Sequence, residues 1–236
     1  MSTFDVLWLA WPWIGFGGAI VIFILLFTDV LRSDKRKKRI FDPEWLSWFM
    51  VFAYLIHVLE EYGLHISNGQ FELITSFKAM GIDERFGEIP LAFFPCVNIL
   101  LTWIALPIAA KICKKNPVIG LSGMGFLFFN GLTHLAGTFA MKLNILENPG
   151  FITGVLVFIP LFIWICFVHK KQKIFPSTGI AIAITSGILG HILLFTGYIV
   201  NMLFGHIVLF IYIPFIAFSP IIISYILYRI FKIKSN

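Results

Sequence analysis

Long apolar stretches alternate with short polar segments along the whole chain. Seven stretches approach or exceed the roughly 20 residues that a helix needs to cross a bilayer, and they cover residues 7–31, 44–64, 89–112, 117–141, 151–169, 176–200 and 204–231. No internal repeat or low-complexity segment interrupts the pattern. It predicts an all-α fold, a polytopic membrane helical bundle of about seven transmembrane helices, as a single integral-membrane domain over residues 1–236.

The basic residues concentrate on one side of this predicted bundle. Fifteen lysine and arginine residues fall in the run RSDKRKKR (32–39), beside the connections after the third and fifth spans, and at the C-terminus. Lys78, Arg85 and Lys142 fall on the other side. Because cytoplasmic loops are enriched in lysine and arginine, we predict that the N-terminus lies outside and the C-terminus inside. Residues 65–88 are then an extracytoplasmic loop, whose mixed pattern favours an interfacial helix or a lid.

Composition excludes several classes of protein. Hydrophobic residues make up 59% of the chain and charged residues 13%, whereas a soluble domain has about 25% charged residues. The net charge of +6 lies beside apolar segments, which indicates contact with anionic membrane lipid and no nucleic-acid partner. Cys96, Cys113 and Cys166 form no C-x-x-C pair, so we expect no disulfide framework. The first span lacks a preceding basic region, so we expect it to be retained.

Ionisable and amide side chains interrupt three of the predicted spans. They are His57, Glu60 and Glu61 in the second span, Asn130 and His134 in the fourth, and His191 in the sixth. Within each of the first two sets the spacing of three or four residues places the side chains on one helix face. At a rise of 1.5 Å per residue, the ionisable groups lie about 20–25 Å above the cytoplasmic ends of their helices. The pattern therefore predicts one site in the outer half of the bilayer.

Two adjacent carboxylates in a membrane require a neutralising partner. A single charged carboxylate near the bilayer centre costs at least about 2.5 kcal/mol, and no lysine or arginine lies at that depth. Protons, a histidinium or a divalent metal ion remain. Mixed histidine and carboxylate ligands suit Zn²⁺ with an open position for water, and iron is the alternative. We therefore expect metal ligands among His57, Glu60, Glu61, His134 and His191, and catalytic roles for Glu60, Glu61 and Asn130.

The same residues belong to a longer ordered set of motifs. His57-Val58-Leu59-Glu60-Glu61 is followed by the Asn130/His134 pair, by the sequence NPG at 148–150, and by His191 after a glycine. This set resembles the bacterial membrane proteins named for an H-x-x-E-E motif. The resemblance implies a multi-pass protein of a bacterial plasma membrane and brings no established activity with it.

A more distant similarity is to intramembrane CAAX-type proteases and bacteriocin-immunity proteins. Their pattern has a double glutamate followed by an arginine, then Phe-x-x-x-His, then a further histidine with a downstream asparagine. The double glutamate and the two later histidines fit this order. However, His65 stands in place of the arginine, Asn130 in place of the phenylalanine, and no asparagine lies four residues after His191. The similarity is therefore an analogy.

Two classes of function follow from these residues. The first is a metal-dependent membrane hydrolase, or an oxygenase if the metal is iron, acting on a lipid-like or lipid-attached substrate or a membrane peptide. A metal-free variant would use a glutamate to activate water, as in a glutamate-type intramembrane protease. The second class is non-enzymatic: a proton or cation transporter, or an immunity protein. The sequence makes no prediction about oligomeric state.

Overall fold

The chain folds almost entirely into helices in the computed structural model, which describes residues 3–67, 70–71, 81–141 and 148–231. The α-helices are α1 Thr3–Leu26, α2 Pro43–Val58, α3 Ile82–Phe86, α4 Phe93–Ile99, α5 Leu106–Cys113, α6 Pro117–Gly120, α7 Gly123–Met141, α8 Phe151–Thr153, α9 Ile159–Gln172 and α10 Thr178–Ile230. A 3₁₀ turn spans Arg39–Phe41, and strands β1 (Ile66–Ser67) and β2 (Gln70–Phe71) pair antiparallel. The predicted all-α class is confirmed.

Three π-helical segments among the described residues extend or join these helices. Leu59–Leu64 continues α2, Leu100–Ala105 joins α4 to α5, and Gly154–Phe158 joins α8 to α9. Single π-helical turns occur frequently at functional sites, because they shift the faces that the following side chains occupy. The first of these segments contains both glutamates of the predicted site.

The apolar helices identify a multi-pass membrane protein. Five helical stretches in the described part of the chain are long and apolar enough to cross a membrane, namely Leu9–Leu26, Phe93–Cys113, Pro117–Ala140, Phe151–Gln172 and Thr178–Ile230. The last is 53 residues long and is interrupted by non-helical backbone at Gly205, two residues after the connection 201–203 that the sequence predicts. Residues 43–64, which comprise α2 and the π-helical segment that continues it, are not among the five. The count of seven spans and their orientation stay predictions.

Part of the predicted outer loop lies outside the described residues. This applies to residues 68, 69 and 72–80 of the predicted loop 65–88, and to Lys78 and Lys142. Within the loop the structure shows the short β1–β2 pair and the five-residue helix α3. The predicted lid is not tested by these elements.

The basic segment after α1 folds onto the start of α2. Asp42 is fully buried and caps α2 by accepting a hydrogen bond from the Trp45 backbone N–H at 3.0 Å. It also accepts hydrogen bonds from the backbone N–H groups of Ser33 and Asp34, at 3.1 and 2.7 Å. Because one carboxylate satisfies donors of both segments, it fixes where α2 begins.

Helices α7 and α10 cross in backbone contact in the first turn of α7 and the second and third turns of α10. A Cβ atom on Gly125 would overlap the Ala183 carbonyl oxygen, and one on Gly187 would overlap the Gly125 carbonyl group. Glycines at such a crossing let two membrane helices approach closely. Farther along, the contact is made by side chains, with the Phe126 and His191 rings 4.3 Å apart.

Candidate metal centre

Three buried ionisable side chains converge at one point in the bundle. The His57 Nε2 atom lies 3.6 Å from one Glu61 oxygen, and the His134 Nε2 atom lies 3.5 Å from the other. One potential ligand atom from each residue lies within 4.8 Å of those of the other two. The two imidazole rings are 5.0 Å apart and meet edge to face. The side chains are 0–8% exposed, so their charges are shielded from solvent.

The NPG segment holds the two histidines together. Gly150 has a φ of +81°, and a Cβ atom there would lie 2.6 Å from His57 Cε1 and 2.8 Å from His134 Cε1. Glycine is therefore required twice, by the left-handed backbone and by the two rings packed against it. Gly131 and Gly154 approach as closely, because a Cβ on Gly131 would overlap the Gly154 carbonyl. These contacts bring α2, α7 and the start of α8 into register.

Thr153 links His57 to Glu60 and determines which nitrogen of His57 carries hydrogen. The Thr153 hydroxyl donates to a Glu60 oxygen at 2.5 Å, and it lies 2.8 Å from His57 Nδ1. Since the hydroxyl has one hydrogen, it accepts from His57 Nδ1–H. The His57 Nε2 atom then carries a lone pair, and within the described structure this atom has no hydrogen-bond partner. Metal-binding histidines are oriented by a hydrogen bond at the other nitrogen in the same way.

Asn148 has the equivalent position beside His134. Its side-chain N–H₂ donates to the His134 carbonyl at 2.8 Å and to the Thr138 hydroxyl at 2.6 Å. The Asn148 oxygen is thereby turned toward His134 Nδ1, at 3.5 Å. His134 Nδ1 carries the hydrogen in this arrangement, and Nε2 offers its lone pair toward Glu61. Both histidines thus present Nε2 to the same point.

Glu60 faces away from this point, toward the start of α8. Its two oxygens accept hydrogen bonds from the backbone N–H groups of Ile152 and Thr153, both at 2.8 Å, besides the Thr153 hydroxyl. A carboxylate at a helix N-terminus satisfies donors that have no partner within the helix. Glu60 therefore anchors α8 to the π-helical segment of α2.

A cavity of about 270 Å³ adjoins the three converging side chains. Glu61 and His134 form part of its wall, together with Asn130 and His191. His191 Nδ1–H donates to the Gly187 carbonyl at 2.9 Å, so its Nε2 atom is an acceptor. His191 Nε2 and the Asn130 side-chain oxygen have no hydrogen-bond partner among the described residues. Both residues line the cavity, and both acceptor atoms are buried without a partner in the described structure.

A chain of neutral hydrogen bonds along the cavity wall ends at Glu61. The Tyr54 hydroxyl donates to the Asn98 oxygen at 3.1 Å, and the Asn98 N–H₂ approaches the Tyr62 hydroxyl at 3.4 Å. Tyr62 is in turn a hydrogen-bond partner of Glu61. These groups orient the Glu61 carboxylate.

The structure assembles part of the predicted site. It groups His57, Glu61 and His134, places His191 and Asn130 on the wall of the adjoining cavity, and turns Glu60 toward α8. Sequence reasoning missed Thr153 and the orienting role of Asn148. The sequence does contain a signal for Thr153. It lies in the first turn of a helix that begins after NPG, and the N–H groups of such a turn can donate to a buried carboxylate from another helix. Tyr54 and Tyr62 carry no such signal in an aromatic-rich chain.

The family comparison matches the region that builds this centre. A family model described as "Protein of unknown function with HXXEE motif" matches residues 48–165, which is half of the chain. This region includes the three converging side chains, Glu60 and Thr153. Searches of curated proteins and of solved structures found no match.

Proposed function

This chain belongs to the family of proteins with an HXXEE motif, and we propose that it is a membrane-embedded, metal-dependent hydrolase. The proposed substrate is a lipid-like or lipid-attached molecule that reaches a centre formed by His57, Glu61 and His134. The observation that carries the proposal is the convergence of these ligand atoms within 4.8 Å. Two histidines and one glutamate are also a ligand set of zinc hydrolases, which leave one position open.

The spacing and orientation of the three side chains support zinc. Ligand atoms on a tetrahedral zinc ion with bonds of about 2 Å are roughly 3.3 Å apart. Each histidine nitrogen lies near that distance from a different oxygen of Glu61, at 3.6 Å for His57 and 3.5 Å for His134. Thr153 and Asn148 orient the two imidazoles, which is the arrangement that supports metal-bound histidines. Two histidines and one carboxylate also suit non-haem iron. We propose zinc because hydrolysis needs a Lewis acid and no change of oxidation state.

The cavity supplies the position where a substrate would react. A zinc ion held by His57, Glu61 and His134 would polarise a carbonyl oxygen and make water a nucleophile at neutral pH. Hydrolysis would join the water oxygen to the acyl carbon, break the bond to the leaving group, and pass a water proton to the leaving group. Asn130 lies on the cavity wall, where it contacts the substrate in this proposal. Glu60 acts as a positioning residue through α8.

We also propose the finer topology that the sequence predicts. The chain crosses the plasma membrane of a bacterium seven times, with residues 43–64 as the second span and α10 divided at Gly205. The N-terminus lies outside and the basic segments inside, since lysine and arginine favour the cytoplasmic side. The metal centre then lies in the outer half of the bilayer.

A metal-free function is the second candidate, and one observation favours it. Both histidines lie within ion-pair distance of Glu61, so a proton shared among the three residues also neutralises the carboxylate. Glu61 would then activate water directly, as in a glutamate-type protease, or pass protons in a transporter.

The metal content of detergent-purified protein tests the proposal. The proposal expects about one zinc per chain in the wild-type protein, measured by plasma mass spectrometry, and background zinc in His134→Ala and Glu61→Gln. His206→Ala is the matched control, because this histidine hydrogen-bonds to Asn201 outside the centre, and its zinc content should be unchanged. Folded wild-type protein that stays metal-free after zinc or iron is supplied overturns the metal proposal and leaves the proton-sharing alternative.

A further inference from the structure

A second cavity lies where the chain turns from α9 into α10. It has a volume of about 590 Å³, and its wall is formed by the last two turns of α9, the connection 173–177 and the first turn of α10. We call it the α9–α10 pocket. None of its lining residues belongs to the candidate metal centre or to the cavity beside that centre. The pocket is therefore a separate feature of the fold.

The pocket carries positive charge that no carboxylate in the described structure balances. Lys170 and Lys173 line it, and no aspartate or glutamate is among its described lining residues. Within the described structure neither ammonium group has an ion-pair or hydrogen-bond partner. The neighbouring Lys171 differs, because it does not line the pocket and its Nζ atom lies 5.1 Å from the centre of the Phe41 ring. Lys170 and Lys173 are thus free to bind an anion.

Lys173 reaches the pocket from a strained backbone position. It follows the last residue of α9 with a left-handed φ of +49°, and among the described residues it is the one non-glycine residue with a positive φ. Its backbone N–H donates to the His169 carbonyl at 2.6 Å. Glycine is the usual residue at such a helix end, but glycine would bring no ammonium group to the pocket. The backbone alone therefore does not account for a lysine here.

The rest of the wall combines a hydroxyl group with stacked rings. The His169 and Phe175 rings lie parallel, 4.3 Å apart with 1° between their planes. Ser177 is exposed and its side chain does not cap α10, so its hydroxyl is available as a donor. It immediately precedes α10, and the N-terminus of a helix favours an anion. A phosphate group has several acceptor oxygens, which suit two ammonium groups and a hydroxyl.

One face of α9 changes from apolar to charged as it approaches the pocket. Ile163, Cys166 and Lys170 lie three or four residues apart and therefore share this face. Ile163 is 61% exposed and lies nearer the middle of the spanning helix, whereas Lys170 lies in its last turn. Exposed apolar side chains on a spanning helix contact hydrocarbon. A ligand of the pocket therefore has its charged group beside the lysines and its apolar part along α9.

We propose that the α9–α10 pocket binds the phosphate headgroup of an anionic phospholipid. The phosphate accepts hydrogen bonds from Lys170, Lys173 and Ser177, and one acyl chain lies against the face of α9 that Ile163 and Cys166 form. In the proposed topology this end of the two helices faces the cytoplasmic leaflet, where basic pockets between spanning helices bind anionic headgroups. The lipid site does not depend on the metal centre.

Native mass spectrometry of the full chain in detergent tests the binding. The probes are phosphatidylglycerol and phosphatidylcholine with the same acyl chains, titrated separately. We expect about one phosphatidylglycerol per chain, bound at least about tenfold more tightly than phosphatidylcholine, which corresponds to about 1.4 kcal/mol. Glycerol phosphate distinguishes the source of the phosphate group, because it has no acyl chains. At the same concentration it should not displace the bound lipid.

Lysine variants separate a binding site from a generally positive surface. Lys170→Gln and Lys173→Gln should each weaken phosphatidylglycerol binding by about fivefold, which corresponds to about 1 kcal/mol for one lysine near an anionic surface. Lys171→Gln is the matched control, because it removes the same charge outside the pocket, and its affinity should stay close to that of the wild type. Lys173→Gly relaxes the left-handed backbone, so it should bind as weakly as Lys173→Gln without lowering the Tm.

Three results would overturn the lipid site. They are equal binding of the two lipids, equal loss of affinity in Lys170→Gln and Lys171→Gln, and displacement of the lipid by glycerol phosphate, which would make the pocket a site for soluble phosphate esters. Zinc content should be the same in all four variants and in the wild type. A metal-free protein that binds phosphatidylglycerol in the expected pattern overturns the metal-dependent function and leaves the lipid site standing.

Discussion

Glu60 and Glu61 are adjacent and buried, yet their carboxylates have opposite surroundings. Glu60 accepts hydrogen bonds from two backbone N–H groups and a hydroxyl at the start of α8. Glu61 faces two histidine nitrogens at 3.5 and 3.6 Å, beside a cavity. A carboxylate with a full set of short hydrogen bonds is a structural element, whereas a buried carboxylate that faces possible ligands is available for function. The comparison assigns a structural role to Glu60 and a chemical role to Glu61.

The largest effect that tests this comparison is loss of stability in Glu60→Ala. The variant leaves the buried N–H group of Thr153 and the partly buried N–H group of Ile152 without their acceptor, at a cost of about 3–5 kcal/mol. For a chain of this size that lowers the apparent Tm by about 10 °C, measured by thermal denaturation in detergent. Glu84→Ala is the control, because Glu84 is exposed, and it should leave the Tm unchanged. An unchanged Tm in Glu60→Ala would contradict the structural assignment.

Glu61→Gln should have the reverse effect. The substitution removes the one charged ligand of the proposed centre. Zinc affinity should therefore fall by more than about 100-fold, which is the largest loss typical of residues that hydrogen-bond to a metal ligand. The apparent Tm of the metal-free protein should stay the same or rise, because the substitution removes a buried carboxylate whose charge is only partly neutralised by its neighbours. Zinc titration and thermal denaturation measure the two quantities on one sample. A large drop in the metal-free Tm would show that Glu61 is a structural residue as well.

Thr153→Val tests the connection between the two glutamates. Valine keeps the shape of threonine but cannot link His57 Nδ1 to Glu60, so His57 loses the hydrogen bond that fixes its tautomer. Loss of such an orienting partner typically weakens metal binding by about 10–100-fold, measured by zinc titration. Thr196→Val is the matched control, because the Thr196 hydroxyl bonds to Tyr212 away from the centre. If the two variants have equal zinc affinities, the hydrogen bonds of Thr153 do not contribute to metal binding by His57.

The sequence predicts the helices and the grouping of the site better than its details. Apolar length is enough to predict the helices, and the common depth of His57 and His134 is enough to predict that they meet. Which of Glu60 and Glu61 faces the histidines is not predictable from a regular helix, because the π-helical segment begins at Leu59 and changes the direction of each following side chain. The position of His191 beyond the three-residue group depends on where α7 and α10 separate. The glycine contacts determine that position, and no local pattern encodes it.

The smallest expected effect concerns Gly150, which packs against the two histidines that face Glu61. Gly150→Ala places a methyl group 2.6 Å from His57 Cε1, and the left-handed backbone adds about 1–2 kcal/mol, so the Tm should fall by a few degrees. Gly87→Ala has a similar φ of +80° but nothing within 4 Å of its added carbon. Both variants carry the backbone cost, so Gly150→Ala should lose more stability than Gly87→Ala because of the overlap with the two rings. The displaced rings should weaken zinc binding in Gly150→Ala alone. If zinc affinity is equal in the two, the NPG segment supports the backbone without positioning the histidines.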